Sequence, residues 1–193
     1  MKKILSIACL LFCFVVAFGQ QQKKTTVQQK KPGTLPTQEK KQAYSVYHDK
    51  IDLFRIDYPS NWEKRDMHGI DLFFIRPMEE RGQRFEENMN IIIDPPDDLS
   101  LQEYADVGVE KLANQLDSFR VYSSDFVKIN NMDFYKLEYG FKYKSSDMHD
   151  LFYITVKDHR SFNFTFSAID GSYKKYYPVF QRMINSFSFE EKK

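Results

Sequence analysis

The chain has 193 residues and two cysteines, and both cysteines lie within its first 13 residues. From residue 44 onward, 20 basic side chains stand against 26 acidic ones, and this negative balance excludes a protein that binds nucleic acid phosphates. With 18 Phe and 12 Tyr, the chain has enough large side chains to build a core without disulfide bonds.

The first 19 residues are predicted to be a secretory signal peptide. Two lysines precede an apolar run at residues 4–16, and the small residues Ala17 and Gly19 predict cleavage between Gly19 and Gln20. The run is shorter than the ~20 residues that span a bilayer, so no transmembrane anchor is expected in the mature form. A lipoprotein is the weaker alternative, because neither cysteine follows the apolar run. Cleavage would leave a secreted or periplasmic protein without cysteine.

Residues 20–43 are predicted to be a flexible linker. They contain six lysines and one glutamate, and their only large apolar residues are Val27 and Leu35. Such a segment buries too little surface to offset the entropy lost on ordering. We interpret it as a solubilising spacer, and contact with anionic lipid or an envelope polymer is the alternative.

Three strands are predicted before the first helix. Residues 52–58 alternate polar and apolar side chains and stop at Pro59, as in a half-buried strand. Shorter apolar runs at 70–75 and 89–93 are also closed by prolines, which cannot continue a ladder of hydrogen bonds. Trp62 is expected to anchor the turn after the first strand in the core, with an aromatic ligand platform as the alternative.

Ser100 and Glu103 predict the start of an amphipathic helix. The serine oxygen would accept a hydrogen bond from the backbone of Glu103, and the glutamate would accept one from the backbone of Ser100. Apolar or small residues then recur on one face for about four turns, which predicts a helix packed on a sheet. These residues are Leu101, Tyr104, Ala105, Gly108, Leu112 and Leu116.

Two hairpins are predicted in the second half of the chain. Residues 119–129 and 132–143 flank an Asn-Asn pair, and asparagine tolerates the positive φ that tight turns require. Residues 151–156 and 162–169 flank a short polar segment in the same way. The strands therefore form a meandering antiparallel sheet.

A second helix is predicted to begin near Ser172 and to extend to Phe187. Its aromatic and aliphatic residues recur at helical spacing, although Pro178 must lie in the first turn or kink the helix. Antiparallel strands combined with two helices predict an α+β fold in which helices cover the faces of the sheet.

In order and spacing, four segments resemble the PsbP-like family: 58–62, the capped helix at Ser100, the Asn-Asn hairpin at 130–131, and 180–187. The resemblance covers residues 44–190, within a predicted domain at 44–193. It implies an α-β-α sandwich with a central antiparallel sheet. The plant protein that gives the family its name supports photosystem II by docking to membrane partners without catalysis. A bacterial-type signal peptide argues against that photosynthetic role and for a secreted bacterial relative.

We therefore expect an exported, non-catalytic binding or assembly module that contacts an envelope or secreted partner. A small-ligand carrier or hydrolase on the same sandwich is the alternative. His48, His68, His149 and His159 are isolated in sequence, and no zinc-protease spacing or Gly-x-Ser-x-Gly elbow accompanies them. We interpret them as exposed loop histidines and do not expect an enzyme.

No cofactor is expected, with calcium as the alternative. Asp94, Asp97 and Asp98 surround two prolines and could offer oxygen ligands on a stiff loop. The favoured interpretation is that Asp97 and Asp98 stabilise the positive end of the following helix, because no glycine lets the loop wrap a cation. Residues 147–150 form a second candidate ligand group, but in a strand their side chains would point to opposite faces.

The segment from Met78 to Asn88 carries closely spaced charges of both signs. We interpret it as an exposed loop between strands. Partner contact is the functional hypothesis for this loop, and a plain solvated loop is the alternative.

Overall fold

A computed structural model describes residues 42–78, 83, 85–95 and 97–191. In this part of the chain, ten strands and two helices follow one another. They are β1 (Tyr44–Asp49), β2 (Phe54–Pro59), β3 (Glu63–Lys64), β4 (Leu72–Ile75), β5 (Asn88–Ile93), α1 (Leu101–Gln115), β6 (Asp117–Ile129), β7 (Met132–Tyr143), β8 (Ser146–Lys157), β9 (Arg160–Ile169), α2 (Asp170–Ser186) and β10 (Ser188–Phe189).

The larger sheet has seven antiparallel strands in the order β3-β4-β5-β9-β8-β7-β6. Its central strands are buried on both faces, and in β8 six consecutive residues, 150–155, are buried. Such strands have continuous apolar runs because both faces of the sheet are covered. The edge strand β6 is mostly exposed.

A second sheet has three strands in the order β1-β2-β10. The alternating segment at 52–58 forms β2 in this small sheet, where Phe54 and Ile56 are 1% and 0% exposed. The predicted strand is therefore confirmed, but it does not belong to the main sheet. Alternation identifies a strand with one buried face and does not identify its neighbours.

Both predicted hairpins are present. Asn130 and Asn131 join β6 to β7 with φ values of 49° and 63°, and Asp158 and His159 join β8 to β9 with 51° and 62°. Consecutive positive φ values give the turn a twist that matches the twist of the strands.

Helix α1 begins as predicted. The backbone N–H of Glu103 donates to Ser100 Oγ over 3.3 Å, and the N–H of Ser100 donates to Glu103 Oε2 over 2.8 Å. Helix α2 begins at Asp170, two residues before the predicted start, and Pro178 lies inside it.

The two helices cover opposite faces of the seven-stranded sheet. Tyr104, Ala105 and Leu112 of α1 pack with one set of buried sheet residues. Helix α2 and β2 pack with the other set, which includes Trp62 at 6% exposure with its ring against Phe180. The sandwich and the core position of Trp62 are thus confirmed, and the small sheet adds a feature to the α2 layer that the sequence did not predict.

Candidate partner-binding site

His149 lies between two carboxylates on the α2 face of the sheet. Its Nε2 is 2.9 Å from Glu138 Oε1, and its Nδ1 is 3.0 Å from Asp170 Oδ1. Strand register produces this contact, because His149 pairs with Gly140 on β7 and Glu138 is the diagonal neighbour on the same face. Both ring nitrogens of His149 are therefore occupied by contacts with carboxylates.

Two tyrosines pack against the His149 ring. Tyr173 of α2 is stacked on it, with ring centroids 3.5 Å apart and an interplanar angle of 6°. Burial and the nearby Glu138 carboxylate raise the pKa of Tyr173, so its hydroxyl stays protonated. Tyr122 of β6 packs at 4.6 Å and is 44% exposed. The histidine therefore connects a buried aromatic ring to an exposed one.

Gly140 makes room for the exposed ring. A Cβ atom at this position would clash with the Tyr122 hydroxyl and lie 3.0 Å from Arg120 Nε. Arg120 Nε donates to the Tyr122 hydroxyl over 2.6 Å, and its guanidinium lies 3.8 Å from Asp147. Arg120 and Tyr122 thus form a unit that rests directly on the backbone of β7.

The edge strand presents these side chains together with two apolar ones. Val121 is 46% exposed, Tyr122 44% and Phe126 54%. We call Arg120, Val121, Tyr122 and Phe126 the β6 surface; it wraps around the edge of the sheet, because Tyr122 packs on His149 on the α2 face and Phe126 packs on Tyr135 on the α1 face. Aromatic residues and Arg are enriched at protein interfaces, and an edge strand also offers unpaired backbone groups. Register shifts interrupt the pairing of β6 with β7 on both sides of Arg120 and Val121.

Asp150 lies on the opposite face of β8 from His149. It is 1% exposed, and the Tyr139 hydroxyl donates to its Oδ2 over 3.2 Å. Burial raises the pKa of Asp150 to about 7, against the opposing effect of hydrogen bonds from Ser167 and Tyr139. A carboxyl with a raised pKa suits acid–base catalysis only where a substrate can reach it. Asp150 is enclosed by the core and offers no such access.

The structure places Asp94 inside the protein. Asp94 is 7% exposed, and its Oδ2 accepts hydrogen bonds from Ser161 Oγ over 2.7 Å and from Asn163 Nδ2 over 2.9 Å. This carboxylate joins the end of β5 to β9, so its oxygen atoms are used within the sheet.

Asp97 and Asp98 lie outside that network. Asp97 Oδ1 accepts a hydrogen bond from the Asp98 N–H over 2.6 Å, and the exposed Asp98 carboxylate lies 3.5 Å from His159 Nδ1. Among the described residues, no group of three or more His, Cys, Asp or Glu side chains is arranged to hold a metal ion.

The prediction that residues 78–88 form an exposed loop is wrong for its last residues. Glu86 and Glu87 are 9% and 3% exposed, and Arg76 Nε donates to Glu87 Oε2 over 2.8 Å. The ion pair with Arg76 allows the Glu87 charge to be buried. No apolar pattern in the sequence signals this pair. Residues 79–82 and 84 lie outside the described residues.

The four histidines are not all loop residues. His68 and His159 lie in turns as predicted, but His48 lies in β1 and His149 in β8, where its side chain is 12% exposed. The sequence analysis missed the His149 site because Glu138 and Asp170 are 11 and 21 positions away. The hairpin that joins β7 and β8 could have indicated that Glu138 lies near His149, because it sets the register of both strands.

Two helices on opposite faces of a central antiparallel sheet define an α+β sandwich domain. A family model described as PsbP matches residues 42–189. The chain belongs to the PsbP family, as the sequence resemblance predicted.

Solved structures share this fold. The solution structure of PsbP from the cyanobacterium Synechocystis superposes with a TM-score of 0.60 at 22% identity, over 81% of this chain and 98% of that one. LpqN, involved in cell envelope biogenesis of Mycobacterium tuberculosis, gives 0.58 at 8% identity, over 77% and 91%. A Pseudomonas aeruginosa protein of unknown function, proposed to be a regulator, gives 0.56 at 13%, over 77% and 99%. Among proteins of curated function, none matches the chain in sequence.

The predicted cleavage site between Gly19 and Gln20 lies outside the described residues. Within those residues, no helix has the length and apolar character needed to cross a membrane.

Proposed function

We propose that the chain is an exported, non-catalytic binding or assembly module that contacts an envelope or secreted protein through the β6 surface. The observation that carries this proposal is the exposure of Tyr122 and Phe126, each more than two fifths exposed, on a long edge strand. Large exposed aromatic side chains with a neighbouring Arg are the residue types that dominate binding energy at interfaces.

The contacts of His149 support the proposal because they hold Tyr122, one residue of the β6 surface, in place. His149 is fixed by two carboxylates and a stacked tyrosine, and Tyr122 packs on it. A side chain that is already ordered loses less conformational entropy on binding. Arg120 further restrains the Tyr122 hydroxyl.

Two observations support a role without catalysis. Both ring nitrogens of His149 face carboxylates, so neither is free to remove a proton from a substrate. Among the described residues, the carboxyl group whose pKa is strongly raised, Asp150, is 1% exposed. A hydrolase on this fold would need such groups in an open cleft.

Export and an envelope partner rest on the predicted signal peptide before Gln20. The structural relative LpqN is involved in cell envelope biogenesis, which agrees with an envelope role. The proposed regulator from Pseudomonas aeruginosa agrees with a function exercised through binding.

Crosslinking in an envelope fraction tests the proposal. The double variant Tyr122→Ala/Phe126→Ala should lose a protein partner that the unchanged chain captures. Ile51→Ala is the matched control, because Ile51 is 88% exposed and lies between β1 and β2 of the other sheet. Equal capture by all three proteins would show that the partner uses another surface. Capture of no partner by the unchanged chain would refute the binding module itself.

A further inference from the structure

The outer edge of β6 is unpaired in the described part of the chain, because β6 ends the strand order of the larger sheet. The strand has 13 residues, most of them exposed, and no proline interrupts it. Long exposed edge strands present backbone N–H and C=O groups that can pair with another strand. The β6 edge can therefore accept one more strand.

Arg120 and Asp125 of β6 lie on the same face of the sheet. Arg120 donates a hydrogen bond to the Tyr122 hydroxyl, and Tyr122 packs on the α2 face. Asp125 pairs with Lys136 of β7, and Lys136 pairs with Tyr153, which belongs to the core on the α2 face. Both side chains therefore lie on the α2 side of the edge, where both residues are exposed.

Phe119 and Phe126 lie on the opposite face. Phe119 packs on Tyr139 and Phe126 on Tyr135, and both tyrosines belong to the core on the α1 face. In a regular strand, residues five or seven positions apart point to opposite faces. The register shift between residues 121 and 123 adds one residue to β6, so each pair shares a face.

These positions make β6 complementary to a second copy of itself. In an antiparallel pairing that sets residue 122 opposite residue 123, Arg120 faces the second copy's Asp125, and Asp125 faces its Arg120. In the same register Phe119 faces Phe126. Each contact occurs twice, because a two-fold axis relates the two strands. Opposite charges and aromatic pairs directly across antiparallel strands are stabilising.

We propose that two copies of the chain pair through β6 and join their larger sheets into one continuous sheet. The inference rests on the proposed function, because it names a second copy as the protein that the β6 surface binds. A slip of one residue would set the side chains of one copy against the opposite face of the other. The pattern of charged and aromatic residues therefore specifies a single register.

Analytical ultracentrifugation of the mature chain tests the pairing. The protein should sediment as a dimer at ~200 µM and dissociate on dilution, because an interface made by one pair of strands is small. Arg120→Asp and Asp125→Arg should each weaken the dimer about tenfold, because each sets like charges opposite each other at two places. Lys174→Glu, an exposed charge reversal on α2, is the control and should leave the dimer unchanged.

Mixing the two charge variants gives the sharper result. In a mixed dimer of Arg120→Asp with Asp125→Arg, every facing pair again has opposite charges. An equimolar mixture should therefore form a dimer that neither variant forms alone at the same concentration. A general loss of folding or solubility in either variant would not be reversed by mixing.

Cysteine crosslinking tests the register. Residues 20–193 contain no cysteine, so one introduced thiol reports on one position. In the proposed pairing the two copies of Ser123 have Cα atoms ~6 Å apart, whereas the two copies of Ser124 are ~11 Å apart. Oxidation should therefore crosslink Ser123→Cys and not Ser124→Cys. Equal crosslinking of the two variants would contradict the register.

Three results would overturn the pairing. They are a monomer at ~200 µM, no gain of dimer when the charge variants are mixed, and a dimer of unchanged affinity in the Tyr122→Ala/Phe126→Ala variant. If the purified chain stayed monomeric while the β6 surface still captured another protein, the second copy would be excluded and the proposed function would stand. The two proposals can therefore fail separately.

Discussion

Arg76 and Glu87 form an ion pair inside the protein, with Arg76 Nε 2.8 Å from Glu87 Oε2 and side chains that are only 8% and 4% exposed. The other carboxylate oxygen accepts a hydrogen bond from Ser172 Oγ of α2 over 2.8 Å. The Arg76 guanidinium also lies 5.0 Å from the centre of the Tyr176 ring. This pair therefore connects the segment before β5 to helix α2.

Removing Glu87 should leave the Arg76 charge buried without a partner. We expect Glu87→Ala to lower the free energy of unfolding by about 3 to 5 kcal/mol, measured by urea denaturation. Asp133→Ala is the control, because it removes an exposed ion pair. The side chains of that pair, Lys128 and Asp133, are 64% and 71% exposed. That change should cost less than about 1 kcal/mol. Similar losses in the two variants would contradict the burial of the Arg76–Glu87 pair.

Asp150→Asn should stabilise the protein at neutral and alkaline pH. The pKa of Asp150 is raised from 3.8 to about 7 in the fold, so the unfolded chain releases this proton first as the pH rises. The stabilising effect of the bound proton is full below pH 3.8 and is lost as the pH rises through about 7. The Asp150→Asn variant does not lose stability in this way, because asparagine does not titrate.

The stability difference between Asp150→Asn and the unchanged chain should therefore grow by roughly 1.4 kcal/mol per pH unit between these two pKa values. Above pH 7 the difference should level off. Urea denaturation of both proteins at pH 4.5, 6 and 8 measures it. A difference that stays constant over this range would show that Asp150 is ionised in the fold.

Two glycine substitutions should have opposite effects. Gly140→Ala places a methyl group against the Tyr122 hydroxyl and should push Tyr122 and Arg120 out of position. Because Tyr122 is 44% exposed and can move, we expect a stability loss of only about 1 kcal/mol, but reduced capture of the partner.

Gly108→Ala is its counterpart in α1, where the added Cβ would lie 3.7 Å from Ile154 Cδ1 at ordinary contact distance. Alanine should stabilise this helix by about 0.5 to 1 kcal/mol and leave partner capture unchanged. Thermal unfolding and the capture assay, run on both variants, separate the two outcomes. Unimpaired capture by Gly140→Ala would remove Tyr122 from the interface.

Asn130→Ala should destabilise the protein through two contacts. The side-chain amide of Asn130 donates to the carbonyl oxygens of Asn185 and Phe187, each over 2.9 Å, and Asn130 has a φ of 49°. Loss of these bonds at the end of α2, with alanine forced into the left-handed region, should cost about 2 kcal/mol. Urea denaturation measures the change.

Asn131→Gly tests whether the effect is specific. Asn131 has a φ of 63°, but among the described residues its side chain makes no hydrogen bond to the end of α2. Glycine suits this backbone conformation, so stability should stay within about 0.5 kcal/mol. If Asn131→Gly were as costly as Asn130→Ala, the turn and not the helix cap would be responsible.

Local signals explain which elements the sequence could predict. The capping box at Ser100 acts between residues three positions apart, and the Asn-Asn turn at 130–131 acts between neighbours. Both were predicted correctly because each depends on a short stretch of chain. The layer arrangement followed from the combination of strands and helices and from the family resemblance, because no single local pattern specifies it.

Contacts that depend on register were not predictable in the same way. The small sheet was not predicted because β10 has only two residues. Its partner β2 lies far from it in sequence, near the start of the described chain. His149 acquires Glu138 from β7 and Asp170 from α2 only once the sheet has assembled. The buried position of Glu87 likewise depends on Arg76, which lies 11 residues earlier.

The arrangement of β1, β2 and β10 has a mechanical consequence. Both outer strands run antiparallel to β2, with Tyr44 opposite Pro59 and Phe189 opposite Phe54, so the chain enters and leaves the domain at opposite ends of β2. A force that pulls residues 44 and 190 apart therefore acts along the strands. Shear of this kind loads the hydrogen bonds of the small sheet together, whereas a peeling force would break them one at a time. A domain held at β1 and pulled at β10 would therefore resist stretching until the hydrogen bonds of the small sheet break together.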